Sequence, residues 1–122
     1  MLKIILLVGI GGFLGSICRY LTGFYLNKYF PIDFPFGTLS VNLVGCLFIG
    51  MAMGLAGKQS IHDETRIFLT TGFCGGFTTF STFAYENIIF LINKEYSFFF
   101  LNAFISMVIG LTAVWIGLKI TG

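Results

Sequence analysis

Residues 72–83 read Gly72-Phe73-Cys74-Gly75-Gly76-Phe77-Thr78-Thr79-Phe80-Ser81-Thr82-Phe83, a run rich in Gly, Thr and Ser at the centre of the apolar stretch 67–92. That stretch is long enough to cross a bilayer. Glycine is a poor helix residue and Ser or Thr hydroxyls bond to nearby backbone, so the run is compatible with a membrane helix broken in two near its middle. Freed backbone groups at that depth are tolerated only where they face protein, water or a bound ion. Broken helices of this kind mark ion sites in transporters, their N-termini favouring anions and their free carbonyls cations. A Ser/Thr/Gly-rich packing face on a continuous helix has the same composition, and spacing alone leaves both readings open.

Outward from this run lie three more apolar stretches, 4–26, 36–56 and 98–120, separated by the turn-forming link 31–35, the polar link 57–66 and the short link 93–95. Of the 122 residues, 57% are hydrophobic and 10% charged, and the mean hydropathy is +0.95. A soluble fold of this size cannot hide so much apolar surface. Four spans of about 20 residues account for most of the chain. The expectation is an all-α membrane protein: one domain, 1–122, of four transmembrane helices, the third broken near the midplane, with no extramembranous module. The start, Met1-Leu2-Lys3 before an apolar run, is read as an uncleaved first span, because the run continues beyond signal-peptide length without a convincing cleavage site.

The net charge of +2 comes from scattered Lys and Arg, not from the basic patch that nucleic-acid binding requires. Cys18, Cys46 and Cys74 fall in apolar segments without metal-ligand spacing or a disulfide framework and are read as small packing residues. The single histidine, His62, stands in a polar link with no nucleophile near it in sequence, so no catalytic pair is read.

Small residues recur at helix-packing spacing: Gly11 and Gly15, Gly50 and Gly54, and Asn102, Ser106 and Gly110. In lipid such strips let helix backbones approach closely. Phe80 and Phe83 sit on one face just after the Gly/Thr run. Rings presented edge-on can contact an anion without supplying a full charge, although among 16 Phe in the chain filler is the ordinary role. Asn42, with Thr38 one turn earlier, puts an amide and a hydroxyl inside the second span, as anion donors or as an interhelical hydrogen bond. Arg19 and Glu86 are the two charges within or near spans. Arg19 either snorkels to the headgroups or lines an aqueous vestibule, and Glu86 either pairs or takes part in a pathway while protonated.

The runs GGFLGSICRY (11–20), GTLSVNLVG (37–45) and GFCGGFTTFSTF (72–83), in this order on the first three spans, resemble the CrcB or Fluc family of fluoride channels. The resemblance covers essentially the whole chain. It implies a passive fluoride exporter of the bacterial plasma or inner membrane that lowers fluoride toxicity, built as an antiparallel dual-topology homodimer with two pores and a central structural Na+. By resemblance, Phe80 and Phe83 match the pore phenylalanines and Asn42 the pore asparagine. Backbone carbonyls of Gly75 and Thr78 from both subunits would hold the sodium. Thr38, Ser81 and Thr82 match the polar track, Ser106 a frequent serine, Glu86 the acidic residue and Arg19 the vestibule arginine. Asn102 stands where many members carry Tyr, which leaves its role open.

Fluoride is small and strongly hydrated, so its path must replace water with several modest donors without trapping the ion. Amide, hydroxyl and aromatic-edge contacts meet that need. An arginine at the midplane would bind harder and cost about 2.5 to 3.5 kcal/mol to insert, and none stands there. The alternative is a small multidrug-type proton-coupled exporter, which requires an embedded glutamate in the first span, where this chain has Arg19 and no acidic residue. An assembly subunit of a larger complex is a second alternative. Lys3, Lys58, Arg66 and Lys119 would face one side and Lys28 and Lys94 the other, with Arg19 near the latter, a bias too small to choose one orientation.

Overall fold

The computed structural model describes all residues, Met1–Gly122, and the chain is helical with no strand. Three helices, α1 (Leu2–Tyr29), α2 (Phe36–Gly57) and α6 (Tyr96–Thr121), are long and apolar enough to cross a membrane. Between α2 and α6 the third segment is divided. It begins with α3 (Asp63–Ile67), continues through a π-helical stretch (Phe68–Cys74) into α4 (Gly75–Phe77), and resumes as α5 (Phe80–Ile92). Only 18 of the 122 residues are buried, so most of the apolar side chains point outward. Surface of that kind belongs in lipid, and the chain is a multi-pass membrane protein.

The uninterrupted helices run two or three residues beyond the apolar runs at several ends. The third segment differs more, starting at Asp63 and not at Ile67. Its first turn carries Asp63 and Glu64, acids that suit the positive end of the helix dipole. Glu64 also meets Lys3 at 2.8 Å, which sets the start of α1 beside the α2–α3 link. Thr121 Oγ1 donates to the Met51 carbonyl at 2.7 Å, bringing the end of α6 to the end of α2, so these ends share one side.

Two helices stop by the same device. Ser60 N–H bonds Leu55 O and Gln59 N–H bonds Ala56 O, while Glu95 N–H bonds Phe90 O and Lys94 N–H bonds Leu91 O. This is a Schellman ending, with Gln59 (φ 56°) and Lys94 (φ 59°) in the left-handed region. At the end that holds the Lys94 stop, Phe34 is buried against Phe36 and Phe98 at ring separations of 5.2 and 5.6 Å.

Glycines set the helix contacts. A Cβ on Gly11 would lie 2.9 Å from Gly72 Cα, and one on Gly76 2.9 Å from Gly12 Cα. A Cβ on Gly15 would collide with the Phe73 carbonyl. α1 therefore lies backbone to backbone on the π stretch and α4. The broadest pairing is α2 with α6, where a Cβ on Gly50 would lie 3.1 Å from Gly117 Cα. Gly117 was not among the small-residue strips expected from the sequence. The packing role expected of all three cysteines holds unevenly: Cys74 is buried and Cys46 half-buried, but Cys18 is exposed on the outer face of α1.

Candidate functional site

The chain between α4 and α5 is extended for two residues, Thr78 (φ −89°, ψ 159°) and Thr79 (φ −150°, ψ 119°). Asn42 on α2 reaches this point and grips Thr79 by both backbone groups: Thr79 N–H donates to Asn42 Oδ1 at 2.8 Å, and Asn42 Nδ2 donates to the Thr79 carbonyl at 3.0 Å. Thr79 also caps α5, its Oγ1 accepting from Thr82 N–H at 3.3 Å. In an uninterrupted helix Thr79 N–H would bond the Gly75 carbonyl and Thr82 N–H the Thr78 carbonyl. Both donors are diverted, so those two carbonyls lose their helical partners.

One turn before Asn42, Thr38 Oγ1 donates to Glu86 Oε1 at 2.6 Å, and Glu86 Oε2 is buried without a partner. Thr38 and Asn42 thus bind successive parts of the third segment. Arg19 Nε donates to the Gly76 carbonyl at 2.9 Å, placing its cation at the C-terminal end of α4, where carbonyls favour positive charge.

A cavity of about 430 Å³ opens between α2, the Thr78–Thr79 joint and α6. Among the residues named from the sequence, it brings together Asn42, Gly75, Thr78, Phe80, Phe83 and Ser106, with Thr79, Cys46, Cys74 and Thr70 also on its wall. No Asp, Glu, Lys or Arg lines it. Phe80 and Phe83 hold their rings 5.9 Å apart at 41°. Phe80 is 79% exposed, so its ring is not filler inside this chain. Ser106 Oγ is buried on the wall with no partner. Thr38, Ser81, Thr82, Glu86 and Arg19 do not line the cavity, nor does Asn102, which is buried between helices.

Two residues that organise this region were not assigned a role from sequence, Thr79 and Asn87. Thr79 had a local signal, a hydroxyl directly before a helix and three residues ahead of Thr82. Asn87 had a weaker one, a lone amide within the apolar run of α5.

Fold and cavity define an all-helical membrane protein with an uncharged, largely apolar recess at an interrupted helix, marked by a few amide and hydroxyl groups. Residues 6–118 match the family described as CrcB-like protein, Camphor Resistance (CrcB). A Campylobacter lari protein named fluoride-specific ion channel FluC is 48% identical over 120 residues, 98% of each chain. Proteins of the same name from Flavobacterium psychrophilum (43% over 120 residues, 98% of this chain and 97% of that one) and Gloeothece citriformis (43% over 114 residues, 93% of each) are also similar. The chain belongs to the CrcB family.

Proposed function

We propose that the protein is a fluoride channel, a passive path by which F− leaves the cytoplasm. The observation that carries this reading is the uncharged cavity with an unpartnered hydroxyl, Ser106 Oγ, and two phenylalanine rings on its wall. Asn42 Nδ2 spends one hydrogen on Thr79 and keeps a second to donate. Several modest donors without a fixed cation replace hydration while letting the ion leave. The names of the relatives agree with this chemistry. Thr38, Ser81, Thr82 and Glu86 would form a polar track behind the cavity, and Arg19 would lend positive potential at its approach.

The channel would be an antiparallel, dual-topology homodimer with two pores and one structural Na+. The exposed Phe80 ring and the exposed Gly75 backbone supply surface for a second copy. The carbonyls of Gly75 and Thr78, deprived of their helical donors, fit a hard cation; two copies joined at the membrane midplane would offer four such oxygens. Bound there, Na+ would neutralise facing carbonyl dipoles. Asn42 and Thr79 serve it indirectly, by keeping the two N–H groups occupied elsewhere.

The test is efflux from liposomes holding only the purified protein, read with a fluoride electrode and, in parallel, a chloride electrode. Rapid fluoride loss with chloride retained is the expected result. Equal movement of both ions, or of neither, removes the proposal.

A further inference from the structure

Asn102 is an amide with 1% of its surface exposed, on a mostly apolar helix. Burying an amide is costly unless it is bonded. Its Nδ2 reaches Asn87 Oδ1 on α5 at 3.4 Å. Asn87, also buried, donates its own Nδ2 to the carbonyl of Phe83 at 3.0 Å. The three residues make one chain of hydrogen bonds from α6 through α5 to the backbone that carries a ring of the cavity wall.

We propose that Asn102 is a positioning residue for Phe83, acting through Asn87 to fix the rotation of α5 about its axis and so the direction in which Phe83 presents its ring. On the other side α5 is tied to α2 by the Thr79–Asn42 and Glu86–Thr38 bonds. Anchors on one side alone would let a short helix roll. The Asn87–Asn102 contact opposes that roll from the α6 side, and amide pairs bind helices where no water competes. Asn102 does not line the cavity, so its influence on an ion held there is transmitted and not direct. The inference rests on the pore role of Phe83.

Two measurements on the full chain separate the relay from that role. In liposomes, Asn102→Leu and Asn87→Leu should each lower fluoride flux by about tenfold, the scale of one buried hydrogen bond. The double variant should be no worse than either single one, because both break the same chain. In the second measurement, 4-fluorophenylalanine is introduced at position 83, or at position 13 on α1 as a control, and followed by fluorine NMR. The resonance at 83 should move in all three variants while that at 13 stays. If Asn102→Leu does not purify as an assembled protein, Asn102→Ser carries the same readout. Wild-type flux in Asn102→Leu, additive losses in the double variant, or an unmoved resonance at 83 overturns the relay. Wild-type flux in Phe83→Ile overturns the pore role instead, and the resonance still reports whether Asn102 orients the ring.

Discussion

Thr79 is the residue on which the site turns, since it gives its amide and carbonyl to Asn42 and its hydroxyl to the start of α5. Asn42→Asp keeps an oxygen for the Thr79 amide but loses the Nδ2 donor and adds repulsion toward an anion if ionised. Fluoride efflux should fall at least about tenfold with assembly retained on size exclusion, and unchanged efflux would mean that Asn42 only ties helices together. At the rings, Phe80→Ile and Phe83→Ile remove the aromatic edge and keep most of the apolar volume. Each should cut flux about tenfold, the scale of a single aromatic contact, without shifting the elution position. Wild-type flux in both would return the rings to the role of filler.

At the scale of helices, the contact between α1 and the third segment leaves no room for side chains. Gly15→Val drives a methyl into the Phe73 carbonyl, and overpacking of this kind costs about 1–3 kcal/mol. Gly9 has nothing within 4 Å of a new Cβ, so Gly9→Ala should gain about 0.5–1 kcal/mol of helix propensity. Thermal unfolding in detergent should order the two variants on opposite sides of the parent. α1, α2 and α6 were legible in the sequence because long apolar runs, interrupted only by Arg19 in the first, end at prolines or charges. The start of the third segment was misread because hydropathy does not register Asp63-Glu64-Thr65-Arg66 as a helical turn, which dipole and Lys3 support favour. Asn42 stood out as an amide in an apolar setting, whereas Phe80, Phe83 and Ser106 were singled out by the family resemblance, a phenylalanine among apolar residues being ordinarily filler. The partners of the amides were not legible, since the Asn42–Thr79 grip and the Asn87–Asn102 contact join distant positions that only packing brings together.

For the whole molecule the open property is orientation. The start of α1, the α2–α3 link and the end of α6 share one side, which carries Lys3, Lys58, Arg66 and Lys119 but also Asp63 and Glu64. With so small a bias, single-cysteine variants at Ser60, on a background lacking Cys18, Cys46 and Cys74, should label about half from each face of the membrane. Labelling from one face alone would rule out the antiparallel pair and the shared cation site with it. The grip of Asn42 on Thr79 also bears on biogenesis. A bare peptide group in hydrocarbon costs several kcal/mol, so the third segment cannot settle in lipid by itself as it leaves the insertion machinery. It needs α2, made earlier, already in place to receive both backbone groups of Thr79. The second helix is then a template for integrating the third, and replacing Asn42 with Leu should leave a measurable fraction of nascent chains with residues 63–92 outside the bilayer, whereas Leu43→Val should not.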